Sequence, residues 1–294
     1  MIAYDDEYKS PEAIADYNRL VYQDNVKYLV IAAGSSTMPV KQYLQDDKIV
    51  GMTARYVAGE IDPNSNYMYR MWGIPADYYP PLYDWLKNNS KERRAAILNP
   101  DDETARAMAA LSESLMTKAG YTVLTNELYE RSLKDFFPLL TKILGEKPDI
   151  IDLGSTPPAT TALLVRQARE FGYKGLFFIP GSTSWKEIVI TAGVDGAEGV
   201  ITVLYVDPAN AAYKHFVTEF KKTVGQEPNE VLAPYTDGVN VLIHAIQKSG
   251  AVNDTSRFEA GFKATLPMTS MQVNAVRYVG IIRNGEPVIV GRIQ

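Results

Sequence analysis

The sequence predicts an α/β protein with two similar lobes, in which mostly parallel sheets are flanked by helices. Apolar strand segments alternate with amphipathic helix patterns along most of the 294 residues, which is typical of parallel sheets with right-handed crossovers. Two separate segments share the same strand–loop–helix form, and the length fits two domains of ordinary size.

The first of these segments lies near the N-terminus. Ser10-Pro11 predicts a helix start, with Ser10 as the cap. The strand 27–31 then runs into Ala33-Gly34-Ser35-Ser36-Thr37, and the strand 49–52 runs into Thr53-Ala54-Arg55-Tyr56. Because ligands bind beyond the carboxyl ends of strands in open α/β sheets, both hydroxyl-rich loops are candidate ligand loops.

The second segment, residues 147–184, is a β-α-β unit. The strand 149–153 ends in Gly154-Ser155-Thr156, a helix follows at 158–171, and the strand 176–179 ends in Gly181-Ser182-Thr183-Ser184. The same argument makes these two loops candidate ligand loops. The elements predicted before this unit are strand 95–98, a helix from Glu103 to about Lys118 that Gly120 ends, strand 121–124 and helix 136–144.

The C-terminal part changes character. A strand at 199–205 leads into Asp207-Pro208. Apolar residues at helical spacing then predict two helices, with apolar faces at 213–220 and 239–246. The last residues are β-rich, and Asn284-Gly285 predicts a hairpin turn between two strands.

Composition excludes several classes of function. The chain has no cysteine, so disulfides, thiol catalysis and Cys-based metal sites are excluded. Its net charge of -5 argues against nucleic acid as a partner. No dinucleotide fingerprint, phosphate loop or nucleophile elbow is present, and the two histidines lie on amphipathic helix patterns away from any Asp/Ser constellation. We therefore expect no enzyme, no metal and no cofactor. No signal peptide or membrane span is visible in the sequence.

An ordered series of short segments resembles the periplasmic branched-chain amino-acid binding proteins. The segments that match are 4–6, 10–12, 26–36, 147–151, 164–172, 193–199 and 234–237. The resemblance implies a type I periplasmic binding fold, with two Rossmann-like lobes, a hinge of three crossovers and a small-molecule solute enclosed between the lobes by hinge closure. It also implies delivery of that solute to an ABC transporter permease, no chemistry, and a periplasmic or extracellular location.

The resemblance suggests where the lobes begin and end. Residues 1–72 and 205–268 would form lobe 1, and residues 73–204 and 269–294 would form lobe 2. The match begins after the first strand and helix of the family, so lobe 1 is expected to lack a central strand and to expose an unpaired edge.

The resemblance also places the family's ligand residues on this chain. The serine that holds the ligand carboxylate matches Ser35. The expected threonine falls on Val57, the expected tyrosine on Thr104, and the acid that holds an ammonium group on Gly181, with Ser182 next. A buried ammonium without that acid would lack its charge partner. We therefore expect a carboxylate-bearing or aromatic solute in preference to a leucine-like one, and an amino acid stays an open alternative.

Several candidates have a structural alternative. Ser35, Ser36, Ser155 and Thr156 could serve as helix caps, Arg55 could form a surface salt bridge, and Trp72 and Trp185 could be packing residues. A role simpler than metal binding is available to the acidic residues Asp101, Asp102 and Glu103. Their charges stabilise the N-terminus of the following helix through its dipole. The ligand-binding residues predicted are Ser35, Ser36, Thr53, Arg55, Tyr56, Thr104, Ser155, Thr156, Ser182 and Thr183.

Two functions remain open at this point. The first is a solute-binding component of an ABC importer. The second is a ligand-sensing regulatory or receptor module on the same fold, since such sensors share this architecture.

Overall fold

The computed structural model describes residues 1–32, 34–53, 67–71, 73–181, 183–265 and 276–293. Its helices are α1 (Ser10–Asn18), α2 (Gly34–Asp46), α3 (Pro75–Asn89), α4 (Glu103–Ala119), α5 (Phe137–Gly145), α6 (Pro158–Glu170), α7 (Trp185–Ala197), α8 (Ala211–Val224), α9 (Leu232–Ser249) and α10 (Phe258–Thr265). Its strands are β1 (Tyr28–Ile31), β2 (Val50–Thr53), β3 (Met68–Arg70), β4 (Arg94–Pro100), β5 (Thr122–Tyr129), β6 (Ile150–Asp152), β7 (Leu176–Ile179), β8 (Ile201–Leu204), β9 (Arg277–Arg283) and β10 (Glu286–Ile293).

The chain divides into two compact units. The first comprises Met1–Ile74 and Pro234–Ala275, and the second comprises Pro75–Ala233 and Val276–Gln294. Residues 205–233 thus belong to the second unit, whereas the sequence assigns them to lobe 1. Hydrogen bonds from Ser184 to Glu230 and from Lys186 to Glu227 attach this segment to α7. The lobe assignment made from the sequence stays a prediction.

The first unit contains a parallel sheet in the order β1-β2-β3. Its core packs α1 and α2 on this sheet through buried residues that include Tyr17, Leu44, Ile49 and Met68. Within the described residues, β1 pairs with β2 alone and therefore forms one edge of the sheet.

The second unit contains a seven-stranded sheet in the order β10-β9-β8-β7-β6-β4-β5. The pairs from β5 to β8 are parallel, and β9 is antiparallel to both β8 and β10. Residues 95–98 of β4 are completely buried, as expected for a strand covered by helices on both faces. The predicted α/β class with predominantly parallel sheets is confirmed.

Local sequence signals placed several boundaries correctly. Gly120 ends α4 in the left-handed conformation, with φ 88°, a conformation that a glycine adopts without strain. Asn284 and Gly285 both have positive φ, 51° and 81°, which is the type I′ geometry of a two-residue hairpin. Asp102 accepts a hydrogen bond from the Ala105 N–H and caps α4.

The predicted capping role of Ser10 is wrong. Lys9 occupies the cap position of α1 without a side-chain cap, and Ser10 is already the first helical residue. The Ser10 hydroxyl donates instead to the Ser35 carbonyl at 3.2 Å. The sequence predicted that this hydroxyl caps the helix. It instead forms a tertiary hydrogen bond to a residue 25 positions along the chain.

Candidate functional site

The loops at the carboxyl ends of β4, β6 and β7 lie along one edge of the second unit's sheet. These three strands are parallel neighbours, so their carboxyl ends point the same way. The described loop residues are 101–102 after β4, 153–157 after β6, and 180–181 with 183–184 after β7. This edge is where open α/β sheets bind their ligands.

Gly154 lies at the centre of this edge. Its N–H donates to Asp152 Oδ1 at 2.8 Å, and its carbonyl accepts from the Tyr79 hydroxyl at 3.2 Å. The same carbonyl closely approaches Gly181, where a Cβ would fall 1.7 Å from the oxygen. No side chain fits at Gly181 in this arrangement, because real Cβ contacts are never that short.

Asp152 is a completely buried carboxylic acid. Its Oδ2 accepts from the Tyr83 hydroxyl, which also lies 2.6 Å from Ser112 Oγ. Burial raises the pKa of Asp152 to about 7, against the opposing effect of its hydrogen bonds from Tyr83 and Gly154. Burial and the neighbouring Asp152 also raise the pKa of Tyr83.

Ser155 and Thr156 have different environments. Ser155 is half-buried, and its N–H donates to Asn99 Oδ1 at 2.7 Å. Thr156 is buried, and its hydroxyl bonds to Tyr129 and to the Leu98 carbonyl at 3.1 and 3.4 Å. Neither hydroxyl caps α6, whose cap residue Pro157 has no side-chain cap bond. The capping alternative for this pair is therefore wrong.

The loop after β7 leads directly into α7. Thr183 is buried, and its hydroxyl has no hydrogen-bond partner within the described part of the chain. Ser184 caps α7 by accepting from the Glu187 N–H at 3.3 Å, and donates to Glu230 Oε2 at 2.5 Å. Burial raises the pKa of Glu230, and the Ser184 hydroxyl is the largest opposing effect. Trp185 is a buried residue of the first helical turn.

The acidic residues after β4 form salt bridges with arginines. Asp101 contacts Arg106 at 2.6 Å, and Asp102 contacts Arg131 at 2.5 Å. Thr104 lies half-buried on the first turn of α4. Within the described ranges, no group of three or more histidine or acidic side chains is arranged to hold a metal ion.

In the first unit, the predicted loop 34–37 is the first turn of α2. The hydroxyl oxygens of Ser35 and Ser36 are buried without a hydrogen-bond partner among the described residues. Thr53, at the end of β2, is completely buried, and its hydroxyl lies 3.1 Å from that of Thr37. This unit therefore brings Ser36, Thr37 and Thr53 together at the carboxyl edge of its own sheet.

Several predicted residues lie outside the described residues. Residues 54–66, which include Arg55, Tyr56 and Val57, are not among the described residues. Neither are the single residues Trp72 and Ser182. Their proposed roles stay predictions.

Two pockets lie elsewhere within the separate units. One of about 230 Å³ in the first unit is lined by residues of β1 and α1, by Ser36, and by aspartates and tyrosines of the N-terminal segment. One of about 530 Å³ in the second unit lies at the amino ends of β6 and β7, beside Phe171 and two lysines.

Among the helices of the described ranges, none combines the length and apolar character required to cross a membrane.

Sequence reasoning missed four residues that shape the edge of the second unit. They are Tyr83, Asn99, Asp152 and Glu230. One signal was available, because Asp152 is a charged residue inside the otherwise apolar run 150–153, and an acid in a buried strand generally has a partner or a role. Tyr83 and Glu230 carry no local signal, since their partners are distant in sequence.

Comparison with known proteins identifies relatives over most of the chain. Residues 1–284 match the family model described as periplasmic binding protein. A leucine-, isoleucine-, valine-, threonine- and alanine-binding protein of Pseudomonas aeruginosa is 26% identical over 266 residues, which are 88% of this chain and 69% of the relative. The Leu/Ile/Val-binding protein of Escherichia coli is 26% identical over 203 residues, 68% of this chain and 54% of the relative.

Solved structures share the fold at low sequence identity. A leucine-binding protein of Thermotoga maritima has a TM-score of 0.82 at 18% identity, covering 99% of this chain and 86% of its own. An ABC transporter solute-binding protein of Rhodopseudomonas palustris, in complex with 3,4-dihydroxybenzoic acid, has a TM-score of 0.83 at 18% identity, covering 99% and 85%. The Streptococcus pneumoniae branched-chain amino-acid binding protein in complex with isoleucine has a TM-score of 0.80 at 14% identity, covering 100% and 86%.

These matches confirm the resemblance read from the ordered segments, and the fold is that of the type I periplasmic binding proteins. The chain belongs to the periplasmic binding protein family, in its branched-chain amino-acid type.

Proposed function

We propose that this protein is the solute-binding component of an ABC importer and that it binds a small carboxylate that lacks an ammonium group. The proposal extends family membership to a ligand class and to a transport role. Aromatic acids and branched aliphatic acids are the solutes that fit it. The protein carries out no reaction in this role.

One observation carries the choice of ligand: Gly181 has no space for a side chain beside the Gly154 carbonyl. The resemblance assigns to this position the acid that would hold an ammonium group. An acidic side chain there would require the two loops to separate. The position therefore supplies no charge partner for an ammonium group.

Four other carboxylates of the described residues near this edge already have hydrogen-bond or ion-pair partners. Asp101 and Asp102 pair with arginines, Asp152 is buried with Tyr83, and Glu230 accepts from Ser184. The hydroxyl of Thr183 and those of Ser35 and Ser36 in the first unit have no partner among the described residues. Hydroxyl donors of this kind stabilise a carboxylate. A buried ammonium without a counter-charge, in contrast, costs on the order of several kcal/mol.

The relatives support a carboxylate as the common element. Proteins named for leucine, isoleucine and valine bind amino acids, and Rhodopseudomonas structures of the same fold hold benzoate and 4-hydroxybenzoate. Amino acids and benzoates share the carboxylate and differ in the ammonium group. Both of these Rhodopseudomonas structures are described as ABC transporter solute-binding proteins, which supports a membrane permease as the partner and a periplasmic or extracellular location.

The test compares ligands that differ only in the ammonium group. Thermal melting of the purified protein is measured with 4-methylpentanoate against leucine, and with 3-phenylpropanoate against phenylalanine. Benzoate and 4-hydroxybenzoate complete the panel. A ligand at a hundredfold excess over its Kd stabilises the native state by about 2.7 kcal/mol, so binding raises the Tm measurably.

The expected result is a larger Tm increase with the acid than with the matching amino acid. A larger increase with leucine or phenylalanine would overturn the ligand class. Benzyl alcohol against benzoate is the control for the carboxylate itself, and equal shifts with these two would contradict a role for the carboxylate.

A further inference from the structure

The loop that follows β6 is held by side chains from three different elements. Asp152 of β6 accepts from the Gly154 N–H, and Asn99 of β4 accepts from the Ser155 N–H. Tyr79 of α3 donates to the Gly154 carbonyl. The backbone of Gly154 and Ser155 therefore depends on hydrogen bonds to side chains that themselves do not belong to the loop.

A second layer of hydroxyl groups lies behind Asp152. Tyr83 donates its single hydroxyl proton to Asp152 Oδ2 and can accept from Ser112 Oγ at 2.6 Å. All three side chains are essentially inaccessible to solvent. A proton that binds Asp152 Oδ2 therefore disturbs this chain of hydroxyl groups, because the protonated oxygen is a much weaker acceptor for the Tyr83 hydroxyl.

The groups that face Asp152 are neutral or phenolic. Tyr83 of α3 donates to Asp152, Ser112 of α4 and Asn99 of β4 lie with it around Gly154, and Phe178 of β7 is its partner in the sheet. Burial raises the pKa of Asp152, and the hydrogen bonds from Tyr83 and Gly154 oppose that shift. Burial alone thus opposes the charged form, and the two donors favour it.

We propose that Asp152 is a positioning residue for the Gly154–Ser155 backbone and that protonation of its carboxylate loosens this loop, so that solute affinity depends on pH. The charged carboxylate accepts charge-assisted hydrogen bonds, which are about twice as strong as neutral ones. The protonated acid holds the Gly154 N–H more weakly. This inference rests on the proposed function, because it takes the loop to be part of the solute site.

The experiment measures the loop and the solute separately. NMR amide exchange of Gly154 and Ser155 is followed from pH 5.5 to 8.5 without ligand, in the wild type and in Asp152→Asn. Each rate is divided by the intrinsic exchange rate of an unstructured chain of the same sequence at the same pH, which gives a protection factor for each protein and removes the intrinsic dependence of exchange on pH. Affinity for benzoate, which stays charged throughout this range, is measured by calorimetry over the same points.

The expected result is that wild-type protection and benzoate affinity both rise with pH through neutrality, by on the order of fivefold for one strengthened hydrogen bond. Both stay flat in Asp152→Asn. Tyr83→Phe keeps the acid but removes one donor to its charged form, so the midpoint of the wild-type profile moves to higher pH. A purely structural role for Tyr83 would lower stability without moving that midpoint.

Two results would overturn the inference: an Asp152→Asn profile that follows the wild type, or an unchanged midpoint in Tyr83→Phe. If Asp152→Asn does not fold, Tyr83→Phe decides. If no solute in the panel binds, the proposed function fails, while the amide exchange of the ligand-free protein still decides the role of Asp152.

Discussion

The carbonyl oxygen of Gly154 is packed so closely on Gly181 that a Cβ at Gly181 would lie 1.7 Å from it. These glycines belong to loops after neighbouring parallel strands, β6 and β7. The Tyr79 hydroxyl donates to the same carbonyl, so the oxygen has little freedom to move away. The backbone contact thus sets the distance between two candidate ligand loops.

Gly181→Ala should destabilise the protein by about 1–3 kcal/mol, the usual cost of forcing an extra carbon into a packed site. The added Cβ meets backbone, which yields less readily than a flexible side chain. Urea denaturation measures the loss. Gly145→Ala is the control, because a Cβ there meets nothing within 4 Å. Equal stability of the two variants would show that the loops separate without cost.

Asp152 should make stability depend on pH. Its pKa is raised to about 7 in the folded protein, so between about pH 4 and pH 7 the folded state binds more protons than the unfolded state. The contribution is fully present below the unfolded pKa and is lost as pH rises toward 7. We expect the wild type to lose on the order of 2–3 kcal/mol relative to Asp152→Asn between pH 5 and pH 8.

Urea unfolding at a series of pH values measures this difference. Asp195→Asn, at an exposed position of α7, is the control, and its curve should follow that of the wild type. If the free energy of unfolding changed with pH in the same way in Asp152→Asn and the wild type, ionisation of Asp152 in the folded protein would cost little free energy.

Ser184→Ala should cost more than removal of an ordinary helix cap. The Ser184 hydroxyl accepts from the Glu187 N–H and donates to the buried Glu230. Loss of the cap costs about 1 kcal/mol, and leaving a buried acceptor without its donor adds about 1–3 kcal/mol. Asn210→Ala is the matched control, because Asn210 caps α8 from an exposed position.

Denaturation at pH 8 compares the two caps. Glu230→Gln in the Ser184→Ala background should recover part of the loss, since an amide leaves no buried charge. Equal losses at Ser184 and Asn210 would mean that Glu230 finds another donor.

The sequence predicted best where local signals and tertiary structure agree. Strand β7 has the predicted bounds, Leu176–Ile179, because it is short, apolar and buried on both faces. Strand β5 continues to Tyr129 beyond the predicted end at Leu124. It lies at the edge of the sheet, and polar residues such as Asn126 and Glu127 interrupt the apolar pattern that marks a buried strand.

The site was less predictable because its contacts join distant parts of the chain. The glycine-rich and hydroxyl-rich loops correctly indicated the carboxyl edges of the strands. The partners of those loops did not follow from spacing: Tyr83 and Asp152 are 69 residues apart, and Ser184 and Glu230 are 46 apart. Burial of Asp152 likewise depends on α3 and α4, which cover the strand only in the folded protein.

Arg277 should be sensitive to a change that preserves its charge. It is 2% exposed, and its guanidinium carbon lies 4.6 Å from the ring centre of Tyr78 and 5.0 Å from that of Tyr205. A planar guanidinium stacks on two rings at once, whereas a lysine ammonium is compact and strongly hydrated. Since a desolvated cation–π contact is worth about 2 kcal/mol, Arg277→Lys should cost roughly 2–3 kcal/mol.

Urea denaturation of Arg277→Lys is compared with that of Arg283→Lys. Arg283 lies on the same strand but is exposed and pairs with Glu198 at 3.0 Å, and an exposed pair of this kind contributes about 0–1 kcal/mol. Arg277→Met separates charge from packing, because it keeps much of the side-chain volume and removes the cation. If Arg277→Lys were no more destabilising than Arg283→Lys, charge alone would account for Arg277, and the stacking of its guanidinium on Tyr78 and Tyr205 would contribute nothing to stability.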